Sequence, residues 1–189
     1  MIMVSVRLWS ALEGYQEHLA AVLDRLVKKG YQILFVPMAW PDDISESQKV
    51  MSLMEEKSFL ADRRLHAREL LALVSSCQMV VGMRLHALIF AASQGVLFAG
   101  ISYDPKVEAF LKVYGQAPLP SESGAMLKEI EKLLDNQSAR EMVKLKSKEL
   151  EKRSRENARL ALSLVERKRG GGAPGSGSPL KERRDPYES

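Results

Sequence analysis

Apolar residues along this chain come in two rhythms that take turns, short unbroken runs and longer stretches spaced by three or four. Met3-Val4-Ser5-Val6, Gln32-Ile33-Leu34-Phe35-Val36, Gln78-Met79-Val80-Val81 and Val96-Leu97-Phe98-Ala99-Gly100-Ile101 are unbroken, and read as strands buried on both faces. Ser58-Phe59-Leu60 reads as a weaker one. Leu12, Tyr15, Leu19, Val22, Leu23 and Leu26 keep helical spacing, and Gly30 ends that helix. Asp42-Asp43 opens another, to about Glu55, with Ser45 and Gln48 spaced for a capping box. Further helices are predicted from about Ala67 to Ser76, from Leu85 to Ser93 and from Pro105 to Val113.

Past Ser121 the chain turns helical. Residues 124–135 carry Met126, Leu127, Ile130, Leu133 and Leu134 on one side. A breaker-free run from Ala139 to Lys168 has a thinner stripe of Met142, Leu145, Leu150, Leu160 and Leu164. The Gly, Ser and Pro of residues 170–179 predict a flexible tail that builds no core. The pattern therefore divides the chain into an α/β body (1–137), a long basic helix (138–169) and a disordered tail (170–189).

Strands alternating with single helices imply a parallel sheet covered on both faces, and such sheets bind ligands outside the carboxyl ends of their strands. The unusual polar residues fall at those ends. Arg7 follows the first strand, Pro37 to Asp43 the second, Arg84 and His86 the strand ending at Val81, and Tyr103-Asp104-Pro105-Lys106 the last. Arg84 and His86 stand out, since the residues around them belong in a core. At a helix start they lie beside free backbone N–H groups, which favour anions. The plainer alternative is that Arg84 caps a carboxylate and His86 packs quietly. Lys106 and Tyr103 would line the same mouth, unless Asp104-Pro105 simply begins a helix.

Composition narrows the classes. With 189 residues, 46% of them hydrophobic, one real core is affordable. The single cysteine, Cys77, excludes a disulfide framework and a cysteine metal cluster. The three histidines are scattered, so no metal site and no cofactor are expected. No run is long enough to span a membrane, and Met1-Ile2-Met3-Val4 lacks a signal peptide's basic start, so a cytoplasmic location is expected. The net charge of +4 is unevenly placed: residues 1–137 are slightly acidic, and residues 138–169 carry the basic excess. Nucleic acid is therefore not an expected partner. The basic helix reads most simply as a solvated face. Its sharper reading is contact with anionic lipid or a phosphorylated acceptor, which would hold the protein at the inner face of the membrane.

The segments GMRLHALIFAASQGV and GISYDPKVEAFL resemble the signature region of polysaccharide pyruvyl transferases, nearest the bacterial branch that pyruvylates cell-wall polymers for surface-layer anchoring. SVRLW, FVPMAWPDD and ELLALVSSCQMVVG resemble successive elements of that family's carboxyl-terminal half, and the similarity covers about residues 3–135. The resemblance implies a glycosyltransferase-B-like pair of Rossmann-type halves, of which this chain holds the second and is expected to be a fragment. It implies transfer of a pyruvyl group from phosphoenolpyruvate to a sugar acceptor, free or lipid-linked, with a pyruvate ketal as product. Arg84 and His86, with Gly82 before them, would serve the donor; Arg7 would be a second clamp, and Tyr103 and Lys106 would line the mouth. The missing half, or a second copy of the chain, would be the protein partner. Leu8-Trp9 departs from the proline common in the family. Two other readings remain open: a nucleotide-sugar glycosyltransferase half-domain, and a non-catalytic assembly module that docks through the basic helix.

Overall fold

The structure, a computed structural model, describes residues 1–9 and 14–169, without the side chains of 165–169. Leu12 of the first helical stripe and the whole 170–189 tail lie outside the described residues. The chain divides into two compact units, Met1–Glu151 and Lys152–Ser189.

Five strands, β1 (Ile2–Ser5), β2 (Ile33–Phe35), β3 (Phe59–Leu60), β4 (Met79–Gly82) and β5 (Leu97–Gly100), form one parallel sheet in the order β3-β2-β1-β4-β5. Every residue of β1, β4 and β5 is buried, as continuous apolar runs require. The helices are α1 (Tyr15–Lys28), α2 (Asp42–Leu53), α3 (Ala67–Ser75), α4 (Leu85–Ser93), α5 (Pro105–Val113), α6 (Ser123–Asp135) and α7 (Gln137–Arg169). The chain steps from β1 through β2 to β3, then returns past β1 to β4 and continues the other way to β5. Right-handed crossovers then place α1 and α2 on one face and α3 and α4 on the other. Packing agrees: α1 lies against α2 and α6, and α4 lies against α3 and α5. The direction reverses between β1 and β4, so the crevice of this sheet opens at their carboxyl ends.

Small residues bring α4 close to that edge. Ser5, Gly82 and Gly100 stand side by side in register across β1, β4 and β5. A Cβ at Gly100 would lie 2.8 Å from Leu111 Cδ1 and 3.2 Å from Leu88 Cδ1, and one at Gly82 would lie 3.3 Å from Leu88 Cδ2. The glycines let α4 and α5 seat on the strand ends.

Two expectations need correcting. Ser45 and Gln48 form no capping box: α2 starts at Asp42 after Pro41, so Ser45 is already inside, and its hydroxyl donates to the Asp42 carbonyl at 3.2 Å. The stripe on α7 is also rotated. Within the first unit Val143 is buried, Ala139 and Leu150 pack on the core, and Met142 and Leu145 are 59% and 75% exposed. Ser147 explains the choice, since its hydroxyl donates to the Ala92 carbonyl at 2.5 Å and lies 3.3 Å from the Tyr114 hydroxyl. The Ala92 carbonyl already accepts the Gly95 N–H at 2.9 Å, and Ser147 adds a second hydrogen bond that anchors this face of α7 to the end of α4. In the second unit, Leu160, Leu162 and Leu164 are exposed.

Candidate functional site

Four of the sequence-predicted residues meet at the β1/β4 crevice. Arg84 is the N-cap residue of α4, in extended backbone, and no side chain caps that helix. Its guanidinium turns back onto α2, where Nε donates to Asp43 Oδ2 at 3.0 Å and Nη2 donates to Asp43 Oδ1 at 2.5 Å. The Asp43 side chain is 1% exposed and the Arg84 side chain 21%. Asp43 also accepts the backbone N–H groups of Met38 and Ala39, at 3.2 and 2.8 Å. One carboxylate thus fixes the β2–α2 loop, the start of α2 and the orientation of Arg84. Partial desolvation opposes the charge on Arg84, but the hydrogen bonds and charge of Asp43 outweigh it and raise its pKa. A guanidinium has five N–H donors, and Asp43 takes two, which leaves the outer edge for an incoming anion.

Arg84 therefore does cap a carboxylate, as the plainer alternative held, but His86 does not pack quietly: it is exposed on the first turn of α4. Arg7, just beyond β1, donates from Nη1 to the Tyr103 hydroxyl at 2.8 Å. Its guanidinium carbon lies 4.8 Å from the Tyr103 ring centre and 5.4 Å from that of Trp9. The Trp9 and Tyr103 rings are 4.9 Å apart and tilted by 47°. Gly82 closes β4 directly beneath α4. Lys106 is exposed, and its backbone N–H donates to Asp104 Oδ1 at 2.8 Å, so Asp104-Pro105 does begin α5. Among the described residues, no hydrogen bond or ion pair joins the Lys106 side chain to the crevice.

Beneath Arg7 lies a network that periodicity did not reveal. The Tyr15 hydroxyl lies within hydrogen-bond reach of Glu46 Oε1 and 3.0 Å from the Arg7 carbonyl. Gln16 Nε2 donates to the same Glu46 oxygen at 2.8 Å. Burial, then the hydrogen bond to Glu46, then the charges of Glu46 and Asp43, push the Tyr15 phenol far above its ordinary range. It stays a neutral donor to a buried carboxylate. Replacing Tyr15 with phenylalanine leaves Glu46 one donor short, and is expected to destabilise the protein by about 1–3 kcal/mol in urea unfolding.

Sequence reasoning read Tyr15 as one more apolar stripe residue and Asp43 as a helix opener. The signal that could have found Asp43 is an acidic residue at the same sheet edge as an arginine. Among the described residues, the buried side-chain polar atoms without a hydrogen-bond partner are Ser5 Oγ and Arg7 Nε. Both sit at the carboxyl end of β1, against the crevice, and unsatisfied buried donors of this kind are rare in native proteins. A separate cavity of about 570 Å³, lined by Tyr114, Pro118, Leu133, Met142 and Val143, contains none of these residues. Among the described residues, no group of three or more His, Cys, Asp or Glu could hold a metal ion, and no helix is long and apolar enough to cross a membrane.

Comparison with known proteins places this edge in context. The family described as Polysaccharide pyruvyl transferase matches residues 1–105. No curated protein matches the chain. Among solved structures, the UDP-GlcNAc 2-epimerase from Neisseria meningitidis bound to UDP-GlcNAc is 11% identical with a TM-score of 0.58, over 82% of this chain and 44% of that one. The glycosyltransferase SnogD from Streptomyces nogalater is 19% identical with a TM-score of 0.50, over 78% and 39%. The C-terminal domain of a glycosyl transferase group 1 family protein from Francisella tularensis is 13% identical with a TM-score of 0.53, over 79% and 83%. These likenesses establish a fold shared with glycosyltransferase-B-type proteins. The chain spans less than half the length of the epimerase and of SnogD.

Proposed function

This chain belongs to the polysaccharide pyruvyl transferase family, and from that premise we propose that it supplies the donor-binding, carboxyl-terminal half of an enzyme that moves a pyruvyl group from phosphoenolpyruvate to a sugar of a cell-wall polysaccharide precursor. The observation that carries this reading is the pairing at one switch-point crevice of an uncapped helix start with two guanidinium groups, one held in place by a buried carboxylate. Phosphoenolpyruvate is a small, multiply charged anion, and such a crevice suits its phosphate and carboxylate.

In this reading the outer edge of Arg84 and the first N–H groups of α4 hold the donor, and Arg7 steadies its second anionic group. His86, exposed on the same turn, gives a proton to the methylene carbon of the enol, which becomes a methyl group. The central carbon, now electron-poor, is attacked by a sugar hydroxyl that releases its proton. The bond from that carbon to the phosphate oxygen breaks, inorganic phosphate leaves carrying the proton of the first hydroxyl, and a second hydroxyl closes the ketal as its proton returns to His86. The sugar approaches from a second domain across the cleft. The wall-polymer branch, including surface-layer anchoring, rests on the resemblance of the GMRLH and SYDPK segments.

Calorimetric titration of the chain with phosphoenolpyruvate tests the reading. Saturable binding supports it, and a chain that ignores phosphoenolpyruvate but binds a nucleotide sugar sinks it. His86→Ala separates binding from chemistry. It is expected to lower affinity by less than about tenfold, because an exposed imidazole adds one contact, while pyruvyl transfer in the reconstituted enzyme falls by about 10²- to 10⁴-fold. A steady-state assay of phosphate release reads that difference.

A further inference from the structure

The strand order gives Trp9 a position that its place in the sequence does not suggest. Trp9 follows β1 and Tyr103 follows β5, and β4 lies between those strands. Contact between their rings therefore bridges the carboxyl end of β4, where Arg84 and α4 begin. Trp9 is nevertheless 37% exposed, and Leu8 beside it is 65% exposed. Tyr103 braces one side of the indole, and the Arg7 guanidinium braces it again through a cation–π contact. A half-exposed tryptophan held by two neighbours has little rotamer freedom left to lose when something lands on it.

We propose that Trp9, braced by Arg7 and Tyr103, is the stacking platform for the pyranose ring of the acceptor. A pyranose offers an apolar face of C–H groups and a rim of hydroxyls. The indole supplies the matching flat apolar face. The Arg7 guanidinium beside the indole keeps N–H groups that Tyr103 does not take, and these serve as donors to hydroxyl oxygens. Placed over the end of β4, the ring directs its rim at the donor crevice, which is where two hydroxyls must meet one carbon to close a ketal. The Arg7 cation beside Trp9 favours this polar-rimmed occupant over a purely apolar segment of protein. That the bound ring is the acceptor rests on the pyruvyl-transfer reading; that a ring binds at Trp9 does not.

The sequence has two tryptophans, Trp9 and Trp40, so Trp40→Phe leaves Trp9 as the sole indole reporter. In that background, titration with methyl glycosides of glucose, galactose and mannose is expected to give a saturable change in Trp9 emission with at least one of them. Calorimetry of the same glycoside with Trp9→Ala should show affinity reduced about three- to tenfold or lost, while Trp9→Phe retains most of it. Phosphoenolpyruvate affinity in Trp9→Ala should stay within about twofold of wild type, since the donor does not need the indole. The platform is overturned if no glycoside binds the wild-type chain, or if Trp9→Ala binds it as tightly as wild type. The two readings fail separately. Glycoside binding through Trp9 without phosphoenolpyruvate binding removes the donor assignment alone, and the reverse removes the platform alone.

Discussion

Arg84→Ala is expected to weaken phosphoenolpyruvate binding roughly 10- to 100-fold, because each charge-assisted hydrogen bond to the anion is worth about 1.5–3 kcal/mol. The same substitution strands Asp43, a buried carboxylate that keeps its bonds to Met38 and Ala39 but loses its counter-charge. An added stability loss of about 2–3 kcal/mol should follow, so affinity and stability must be measured separately. The double variant Arg84→Ala with Asp43→Asn sorts them out. Removing both charges should restore much of the stability, since no unpaired buried charge remains, yet leave binding as weak as in Arg84→Ala. If Arg84→Ala binds phosphoenolpyruvate as wild type does, that would falsify the placement of the donor at this helix start.

Asp43→Ala should give the largest stability loss at the site, about 3 kcal/mol in urea unfolding. Its carboxylate accepts hydrogen bonds from Met38 N, Ala39 N, Arg84 Nε and Arg84 Nη2 while itself almost fully buried. Alanine leaves two backbone N–H groups of the β2–α2 loop without that acceptor, and removes the partner of a guanidinium. Arg84, at 21% side-chain exposure, recovers part of its solvation, which keeps the figure below that of a fully buried pair. Asp43→Asn keeps an oxygen for the backbone donors and should lose about half as much. A loss under about 1 kcal/mol for alanine would mean that the loop holds itself and that Asp43 serves Arg84 alone.

Much of the fold was legible in the sequence because burial imposes local rhythm. Runs such as Met79-Val80-Val81 are apolar without a break because both faces of their strand are covered, and α4 and α5 fall on their predicted bounds between Gly and Pro signals. Even the two-residue β3 was marked by Phe59-Leu60. The reading slipped where a polar contact overrode the pattern. On α7 the Ser147 hydroxyl and Val143, rather than Met142 and Leu145, choose the packed face. At the start of α2 no side chain caps the helix: Asp43 accepts the Ala39 N–H of the preceding loop, and Ser45 is left to its own backbone. Tyr15 looked apolar because its ring is, and the hydroxyl's carboxylate partner, Glu46, lies 31 positions along the chain.

Sequence alone determined that this is a parallel α/β protein and that Arg7, Arg84, His86 and Tyr103 lie at strand ends, since strand, turn and helix signals are set by neighbours a few residues apart. It also carried the family resemblance, which resides in short motifs. Only the tertiary structure decided which of those ends are adjacent. The order β3-β2-β1-β4-β5 puts β1 beside β4 and so creates the crevice. It brings Arg84 to Asp43 across 41 positions and Arg7 to Tyr103 across 96. Such pairings depend on crossover handedness and sheet register, which are properties of the whole chain and leave no periodic trace in any one segment.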